Sequence, residues 1–363
     1  MRRPRPLRGT SEMREVAIIG FAQTRSVRRE VERDEVELVQ QVVAEALAQA
    51  GLKRGEAGFT CSGSCDFITG RPFSFVGALD AIGAWPPVEE SHVEMDGAFA
   101  LYEAWVRLQH GDIDTALVYA FGKSSPGDLK RVLTAQLDPY VVAPLGPDAL
   151  ALAALQTRAV LDAGLATERE LAVIAAMARG RALDNPFAQV RGRFDPDTLL
   201  EAPYLLEPLR KHDCPPISDG AAAIVLAVGD AARRACARPA WIRGIDHRIE
   251  PQSLGARDLT RSVSTTLAAQ KAGVGDGPIE VAELHAPFTA QQVVLTRALG
   301  LGPTTSINPS GGALAANPMM VAGLLRLGES ARRIHSGDAQ RVLAHATSGP
   351  CLQQNLVAVL EAG

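Results

Sequence analysis

The sequence has few aromatic residues, few cysteines and no long apolar run. Aromatic residues make up 5% of the 363 residues, so the core has to be built mainly from Ala, Val, Leu and Ile. The five cysteines are too few and too scattered for a disulfide framework, and no Cys/His pair at ligand spacing joins Cys61 and Cys65 in a zinc site. No run approaches the roughly 20 apolar residues that span a bilayer. We therefore expect no bound metal, no membrane span and free thiols in a reducing cytoplasm.

Charge of one sign is also not in large excess. The net charge of −4 gives no general attraction to nucleic acid or to an anionic membrane. With 47% hydrophobic and 21% charged residues, the composition is that of a soluble globular protein with a large core. Residues 1–12 contain four arginines and two prolines with no apolar stretch behind them, so they lack the pattern of a secretory signal. We predict a disordered basic leader there.

Apolar runs alternate with segments of helical periodicity along the rest of the chain. The predicted strands are residues 16–19, 92–95, 115–121, 221–228, 241–245, 279–284, 342–346 and 356–361. The predicted helices are residues 36–50, 97–108, 148–164, 168–182, 258–272, 290–301 and 319–335. Residues 58–87 are predicted to be rich in loops. This alternation favours a layered α/β architecture, and its two rounds predict two similar halves, 13–235 (with a loop insertion at about 122–217) and 236–363.

Two stretches place polar side chains at the ends of predicted elements. Residues 92–101 run from a strand straight into a helix, so Glu94 and Asp96 face unpaired N–H groups at the helix start. They are either helix caps or part of a site for chemistry. Residues 283–288 put His285 at the carboxyl end of a strand, the edge where ligands collect in α/β sheets. A structural and a functional role remain open for His285.

Two further stretches combine small residues with turns. Residues 214–223 form a tight turn that feeds a strand of very small side chains, for which close packing is the favoured role. In residues 308–318, Gly311 and Gly312 allow a close approach of the backbone to a ligand or to another loop. Asn317 stands next to Pro318, which suits the first turn of the following helix. A generic turn explains the glycines, but not why all four stretches fall at element ends.

Taken in order, the four stretches resemble the thiolase superfamily, in particular the branch of the sterol-carrier-protein thiolases and lipid-transfer proteins. Residues 308–312 match the family loop Asn-Pro-Ser-Gly-Gly, and residues 283–288 are similar to its Glu-Leu-His-Asp-Cys-Phe segment. Residues 218–223 match its Ser-Asp-Gly-Ala-Ala-Ala strand entry, and residues 94–101 resemble its nucleophile segment. The resemblance implies a five-layered αβαβα fold, a homodimer, and coenzyme A thioesters as substrates without a bound cofactor.

The departures from the family pattern bear on the chemistry. The position of the nucleophilic cysteine falls on Glu94, and the histidine of the Gly-His-Pro motif falls on Asn317. The second cysteine falls on the turn formed by Thr347, Ser348 and Gly349. Of the usual catalytic side chains only His285 remains, so thiolysis through an acyl-cysteine is not expected.

The resemblance then implies roles for the remaining residues. We expect His285 to polarise the thioester carbonyl with help from Asn317, and Glu94 to act as a base or to orient the substrate. The expected substrate-binding residues are Gly311, Gly312, Ser348, Gly349 and Phe288.

Three functions stay open at this point. The leading one is retro-aldol cleavage of an acyl-CoA in lipid or steroid side-chain degradation, which relatives lacking the cysteine perform with a small OB-fold, zinc-ribbon partner protein. The second is a catalytically silent subunit that binds acyl-CoA or supports an active thiolase homologue. The third is an acyltransferase with an unrecognised nucleophile.

Overall fold

This computed structural model describes residues 13–70 and 72–363, so the predicted basic leader lies outside the described residues. The strands in chain order are β1 Val16–Gln23, β2 Phe59–Gly63, β3 Glu90–Val93, β4 Thr115–Gly122, β5 Tyr204–Leu206, β6 Leu209–Arg210, β7 Gly220–Val228, β8 Ala240–Ile249, β9 Val281–Leu284, β10 Ser306–Ile307, β11 Arg341–Ser348 and β12 Gln354–Glu361. The helices are α1 Glu35–Gln49, α2 Asp66–Thr69, α3 Ser74–Ile82, α4 Gly97–Gln109, α5 Leu129–Ala135, α6 Ala149–Asp162, α7 Glu168–Arg181, α8 Pro196–Leu200, α9 Gly229–Ala235, α10 Val263–Lys271, α11 Thr289–Ala298 and α12 Ala322–Ser336.

One mixed sheet runs through the molecule in the strand order β10-β9-β11-β12-β8-β1-β7-β4-β2-β3. It consists of two five-strand units joined where β1 pairs with β8. In the N-terminal unit β3, β2 and β4 are parallel, and β7 and β1 follow antiparallel. In the C-terminal unit β10, β9 and β11 are parallel, and β12 and β8 follow antiparallel. The repeated order agrees with two similar halves, while their boundary at residues 235 and 236 stays a prediction.

The helices form three layers around the two units. Helices α4 and α12 lie between the units, where Leu101 and Leu324 share a core with residues of both sheets. Helices α1 and α3 cover the outer face of the N-terminal unit, and α10 and α11 cover the outer face of the C-terminal unit. Together with the two sheet units this makes five layers in the order αβαβα. The predicted fold class is confirmed.

The start of α1 shows how local sequence fixes an outer helix. The Asp34 carboxylate accepts from the backbone N–H of Glu37, and the Glu37 carboxylate accepts from the backbone N–H of Asp34, both at 2.9 Å. The apolar residues behind this cap recur at helical spacing and are buried against the sheet. Their identities are Leu38, Val39, Val42, Val43, Ala46 and Leu47.

The segment between β4 and β7 is an insertion in the repeated pattern. It contains α5 to α8 and the β5–β6 hairpin, and the predicted helices at 148–164 and 168–182 are present there as α6 and α7. Helix α7 packs against α11 of the C-terminal unit. The insertion therefore covers the outer face near the carboxyl end of β9. No helix of the described part of the chain is long and apolar enough to cross a membrane.

The prediction of loops over residues 58–87 is wrong, because β2, α2 and α3 lie there. All five residues of β2 are buried between β3 and β4, yet two are polar and one is glycine, so the segment lacks an apolar run. Two predicted helices also begin late. Helix α10 starts at Val263 because the Ser262 hydroxyl caps it, accepting from Thr265 N at 3.3 Å. Helix α12 starts at Ala322, after Met320 with a φ of +67°.

Candidate active site

His285 is the first residue after β9 and is 7% exposed. The parallel pairing of β9 with β11 continues through it, since its backbone N–H donates to the carbonyl of His345 at 3.1 Å. The backbone of His285 is therefore held by the strand pairing, and its imidazole lies at the carboxyl end of the parallel strands, as predicted from the sequence.

The contacts of the His285 ring define its tautomer. The backbone N–H of Thr347 points at Nδ1 over 3.4 Å, so Nδ1 is an acceptor and Nε2 carries the proton. Nε2 then donates to Oδ1 of Asn317 at 3.1 Å. Burial, with smaller effects of His345 and Arg326, lowers the pKa of His285 to about 3. At physiological pH His285 is thus a neutral hydrogen-bond donor.

Asn317 is positioned by the strand entry that precedes β7. Its backbone N–H donates to the Ser218 hydroxyl at 3.1 Å, and Ser218 also forms an isolated parallel bridge with Pro318. Ser218 is fully buried. The sequence singled out this stretch for close packing, and the hydroxyl contact with Asn317 adds a second role that only the fold reveals.

A buried polar network holds the loop that leads to Asn317. The Glu283 carboxylate accepts from the backbone N–H and the hydroxyl of Ser310 at 2.9 and 2.6 Å, and from Arg326 at 3.0 Å. Burial raises the pKa of Glu283, and the Arg326 guanidinium opposes this shift. Because Glu283 precedes Leu284 and His285, the network ties the loop to the same strand end. Glu283 belongs to the Glu-Leu-His segment of the sequence, but no local sequence pattern predicts its role in this network.

The two glycines of this loop adopt backbone conformations that suit glycine. Gly311 has a φ of +97° and Gly312 a φ of +62°. A Cβ on Gly311 would lie 2.7 Å from the Ala182 side chain, and one on Gly312 would lie 2.7 Å from the Asn308 side chain. Their close neighbours are thus protein groups of the scaffold. Substrate binding by Gly311 and Gly312 stays a prediction.

The other predicted substrate-binding residues surround the same edge. Ser348 ends β11 and pairs with Gln354 of β12, and the exposed Gly349 follows with a φ of +72°. Thr347, which precedes Ser348 in β11, donates its backbone N–H to Nδ1 of His285. Phe288 precedes α11 and packs on an apolar cluster that includes Leu209. Contact of these three residues with substrate also stays a prediction.

Glu94 and Asp96 serve different helices. Glu94 is 48% exposed, accepts from Asp66 N of α2 at 2.6 Å and lies 3.3 Å from Nε2 of His92. Asp96 is buried and caps α4 by accepting from Ala98 N at 2.9 Å. It also accepts from Gly323 N and Leu324 N at the start of α12, at 2.9 and 3.0 Å. Asp96 is thus a helix cap, which was one of the two alternatives for this residue. Of the three predicted catalytic residues, His285 and Asn317 contact each other, whereas Glu94 contacts Asp66 and His92 instead.

Four of the five thiols have a raised pKa, which makes them poorly suited to act as nucleophiles. Burial raises the pKa of Cys61 and Cys214 to about 12 and that of Cys351 to about 11. Burial and, to a smaller extent, the neighbouring Glu94 also raise the pKa of Cys65. A thiol with a raised pKa is protonated at neutral pH and does not attack a thioester. Among residues 13–70 and 72–363, no group of His, Cys, Asp or Glu side chains could hold a metal ion.

The comparison with solved structures defines the class of fold. The structure titled Ltp2-ChsH2(DUF35) aldolase superposes with a TM-score of 0.79 at 21% identity, over 96% of this chain and 98% of that one. Human mitochondrial 3-ketoacyl-CoA thiolase superposes with a TM-score of 0.75 at 15% identity, over 96% of this chain and 99% of that one. The protein therefore has the thiolase fold.

Curated relatives extend the comparison to sequence, although no family model matches the chain. Acetyl-CoA acetyltransferase of Methanothermobacter thermautotrophicus is 27% identical over 206 residues, which is 50% of this chain and 54% of that enzyme. Sterol carrier protein 2 of Gallus gallus is 25% identical over 380 residues, 92% of this chain and 69% of that protein. The chain spans little more than half the length of the first relative. Its homologues are thiolases and thiolase-like sterol carrier protein 2, which confirms the resemblance.

Proposed function

We propose that this chain cleaves a carbon–carbon bond of a β-hydroxyacyl-CoA by a retro-aldol reaction without a cysteine nucleophile. The observation that carries the proposal is the neutral His285, which presents an Nε2–H at the carboxyl end of β9. Residues 66–213 contain no cysteine, and the pKa values of four of the five thiols are raised. The relatives named as acyltransferases and the neighbour named as an aldolase support chemistry on acyl-CoA thioesters.

The reaction needs a base and an oxyanion site, and no oxidant. The base removes the proton of the β-hydroxyl, the bond between the α- and β-carbons breaks, and the β-carbon becomes a carbonyl. The electron pair of that bond passes into the thioester as an enolate, whose oxygen accepts a hydrogen bond from Nε2–H of His285. Protonation of the α-carbon releases the shortened acyl-CoA. A donor placed on such an oxygen typically contributes about 10²–10³ in rate.

Substrate has to replace one contact that the free protein makes. The Nε2–H of His285 is bound to Oδ1 of Asn317, so the thioester oxygen has to take the place of Oδ1. The amide N–H of Asn317 can then donate to the same oxygen after the side chain rotates. Because Asn317 is held by its backbone contact with Ser218, this rotation does not require the loop to move.

We propose Glu94 as the base or as a carboxylate that orients the substrate. Its half-exposed carboxylate lies between β3 and α4, where solvent and substrate can reach it. Its Oε1 accepts from the backbone N–H of Asp66, and Oε2 keeps lone pairs with which it can accept a proton. The substrate class we propose is a lipid or steroid side-chain thioester. The partner we propose is a small OB-fold, zinc-ribbon protein bound to a homodimer of this chain. The Ltp2-ChsH2(DUF35) aldolase, which is named for two components, supports a second protein component.

A second candidate function is a catalytically silent subunit that binds acyl-CoA or supports an active homologue. The specific observation in its favour is the closed state of the site, since His285 is 7% exposed and its Nε2–H already has a protein acceptor.

A product analysis separates these functions. The chain, alone and with its native partner, is incubated with β-hydroxyacyl-CoA thioesters with and without free coenzyme A, and the products are identified by mass spectrometry. We expect a carbonyl compound and a shortened acyl-CoA in equal amounts, with no requirement for free coenzyme A. A parallel incubation uses β-ketoacyl-CoA thioesters, because thiolysis needs a carbonyl at the β-carbon; cleavage of these thioesters that requires free coenzyme A would indicate an acyltransferase. No turnover in the partner complex would indicate the silent subunit.

A further inference from the structure

A cavity of about 300 Å³ lies between α7 of the insertion, α11 and the segment leading to β10. His285 does not line it. Most of its wall is apolar, and these residues are Ile174, Met177, Leu301, Pro303 and Ile307. Its volume is at the lower end of the roughly 300–1,000 Å³ found for small-molecule sites, which are mostly apolar with a few polar groups. Size and lining therefore fit a small ligand with an apolar body.

The cavity contains one positive side chain, that of Arg181. Its guanidinium donates from Nη1 to the backbone carbonyl of Ile307. Within the described residues, 13–70 and 72–363, this is the one hydrogen bond that the guanidinium makes. A guanidinium has five N–H donors in a planar fork, so most of them remain for a ligand. Burial lowers the pKa of Arg181, which means that the charge is partly desolvated. A desolvated guanidinium with free donors favours a carboxylate, which it can bind in a bidentate manner.

In the part of the chain that the structure describes, no carboxylate near Arg181 is free to neutralise this charge. The acidic group that raises the pKa of Arg181 is Glu283. The Glu283 carboxylate already accepts from Arg326 and from the backbone and hydroxyl of Ser310. A positive charge in a partly apolar cavity thus lacks a dedicated protein counter-ion, so an anionic ligand would gain both charge pairing and apolar burial.

The wall of the cavity is connected to the strand end that carries His285. Asn308 lines the cavity, and its Oδ1 accepts from the backbone N–H of Leu284 at 2.6 Å. Its Nδ2 donates to Gln292, a second lining residue, at 3.2 Å. Leu284 directly precedes His285. A ligand that shifts Asn308 therefore acts on the backbone of His285 through one hydrogen bond.

We propose that this cavity is a binding site for a monocarboxylate with a short apolar chain, its carboxylate paired with Arg181 and its chain between α7 and α11. The site is separate from the one around His285. The evidence for this carboxylate site is the cavity and Arg181, so the site does not depend on the retro-aldol proposal.

The test titrates the full chain with hexanoate and with its neutral analogue 1-hexanol. We expect saturable hexanoate binding and at least tenfold weaker binding of 1-hexanol. Arg181→Gln keeps a donor for the carbonyl of Ile307 and removes the charge, so it should weaken hexanoate binding at least tenfold. Arg238→Gln is the matched control, because Arg238 also donates to a backbone carbonyl, that of Ile334, but lines no part of the cavity. It should leave the affinity unchanged.

Two further variants separate this site from the candidate active site. Thr296→Phe places a ring in the cavity from α11 and should abolish hexanoate binding even if Arg181→Gln folds poorly. His285→Ala should bind hexanoate within about twofold of the parent affinity. The proposal is overturned if hexanoate does not bind at millimolar concentration, if it binds Thr296→Phe as well as the parent, or if His285→Ala loses the binding.

Discussion

The two five-strand units have the same strand order but different residues at corresponding strand ends. In the N-terminal unit β2 ends at Gly63, which pairs with Ala120 of β4. A Cβ on Gly63 would lie 2.7 Å from the backbone of Gly97, so backbone packing closes this end. In the C-terminal unit β9 ends at Leu284, which pairs with His345 of β11, and His285 follows. Backbone packing thus fills the end of β2, whereas an ionisable side chain follows β9 at the corresponding strand end.

This difference indicates that the repeated strand order does not depend on the polar side chains at the strand ends. The strand order depends on apolar strands and on the central helices, which both units contain. The buried polar groups around His285, Asn317 and Glu283 belong to the C-terminal unit. The N-terminal unit contributes Asp96, which joins the starts of α4 and α12. The variants described below test this division, from the largest expected effect to the smallest.

Replacing Asp96 breaks the link between the units. In Asp96→Ala the N–H groups of Ala98, Gly323 and Leu324 lose their acceptor inside the protein. Each unpaired buried donor costs about 1–3 kcal/mol, so the loss of one acceptor for all three should lower the free energy of unfolding by roughly 3–9 kcal/mol in a urea titration. Asp128→Ala, which removes an exposed cap of α5, should cost about 1 kcal/mol. Equal losses in both variants would show that Asp96 is an ordinary cap.

Replacing Glu94 asks whether the N-terminal unit takes part in the chemistry. Glu94→Gln keeps an acceptor for Asp66 N, so the melting temperature should change little. If Glu94 is the base, kcat should fall by about 10²-fold or more. Glu89→Gln, at an exposed glutamate that precedes β3 at its opposite end, is the control and should turn over at the parent rate. A parent-like rate for Glu94→Gln as well would leave Glu94 as a cap of α2.

The buried histidines of the C-terminal unit predict a defined dependence of stability on pH. Burial lowers the pKa of His285 to about 3 and that of His345 to about 4. The unfolded chain protonates both below about pH 6.5, and the folded chain does so only near the lowered values. The contribution of these two histidines to the free energy of unfolding is therefore at its maximum above about pH 6.5. Below that pH the free energy of unfolding falls by about 1.4 kcal/mol per pH unit for each histidine.

A single variant isolates one of these histidines. His345→Gln keeps a donor for Asn355 Oδ1 and removes one titrating group. Urea titrations at several pH values from about 6 to about 4.5 should give a slope lower by about 1.4 kcal/mol per pH unit than in the parent. Parallel curves for the two proteins would show that the His345 pKa is not lowered in the folded state.

Thiol modification should have the smallest effect on turnover. Since burial raises the pKa of Cys61, Cys214 and Cys351, iodoacetamide should leave any activity largely intact, and mass spectrometry should find no acyl group on cysteine after incubation with acyl-CoA. Stoichiometric acylation of Cys214 or Cys351 would contradict the assignment and make one of them the missing nucleophile.

The sequence is sufficient to predict the features that depend on neighbouring residues. The apolar run before His285 predicts a strand that ends there, and the repeated alternation of strands and helices predicts layers. It is insufficient for β2, because five residues including two polar ones and a glycine become a buried strand only between β3 and β4. The start of α12 escaped prediction for a local reason, the positive φ of Met320.

In the candidate site, too, the features that depend on neighbouring residues are predictable from the sequence, and those that depend on distant residues are not. The position of His285 at a strand end is predictable, whereas its tautomer depends on the N–H of Thr347, which the parallel pairing of β9 with β11 brings to the ring. The second role of Asp96 depends on the packing of α4 beside α12. The two residues of α12 that it contacts, Gly323 and Leu324, are 227 and 228 positions away from it in the chain. Such contacts have no local sequence pattern, because they arise from the layer between the two units.

The central claim is that His285 is a hydrogen-bond donor in catalysis, and its most direct test compares His285→Ala with His285→Asn in the complex with the native partner. Ala removes the donor and should lower the rate about 10²–10³-fold, which is roughly 3–4 kcal/mol. Asn can still donate and should recover part of that loss. Melting temperature and complex size are measured alongside to exclude unfolding or dissociation. If both variants assemble normally and turn over at the parent rate, this chain does not catalyse the reaction through His285.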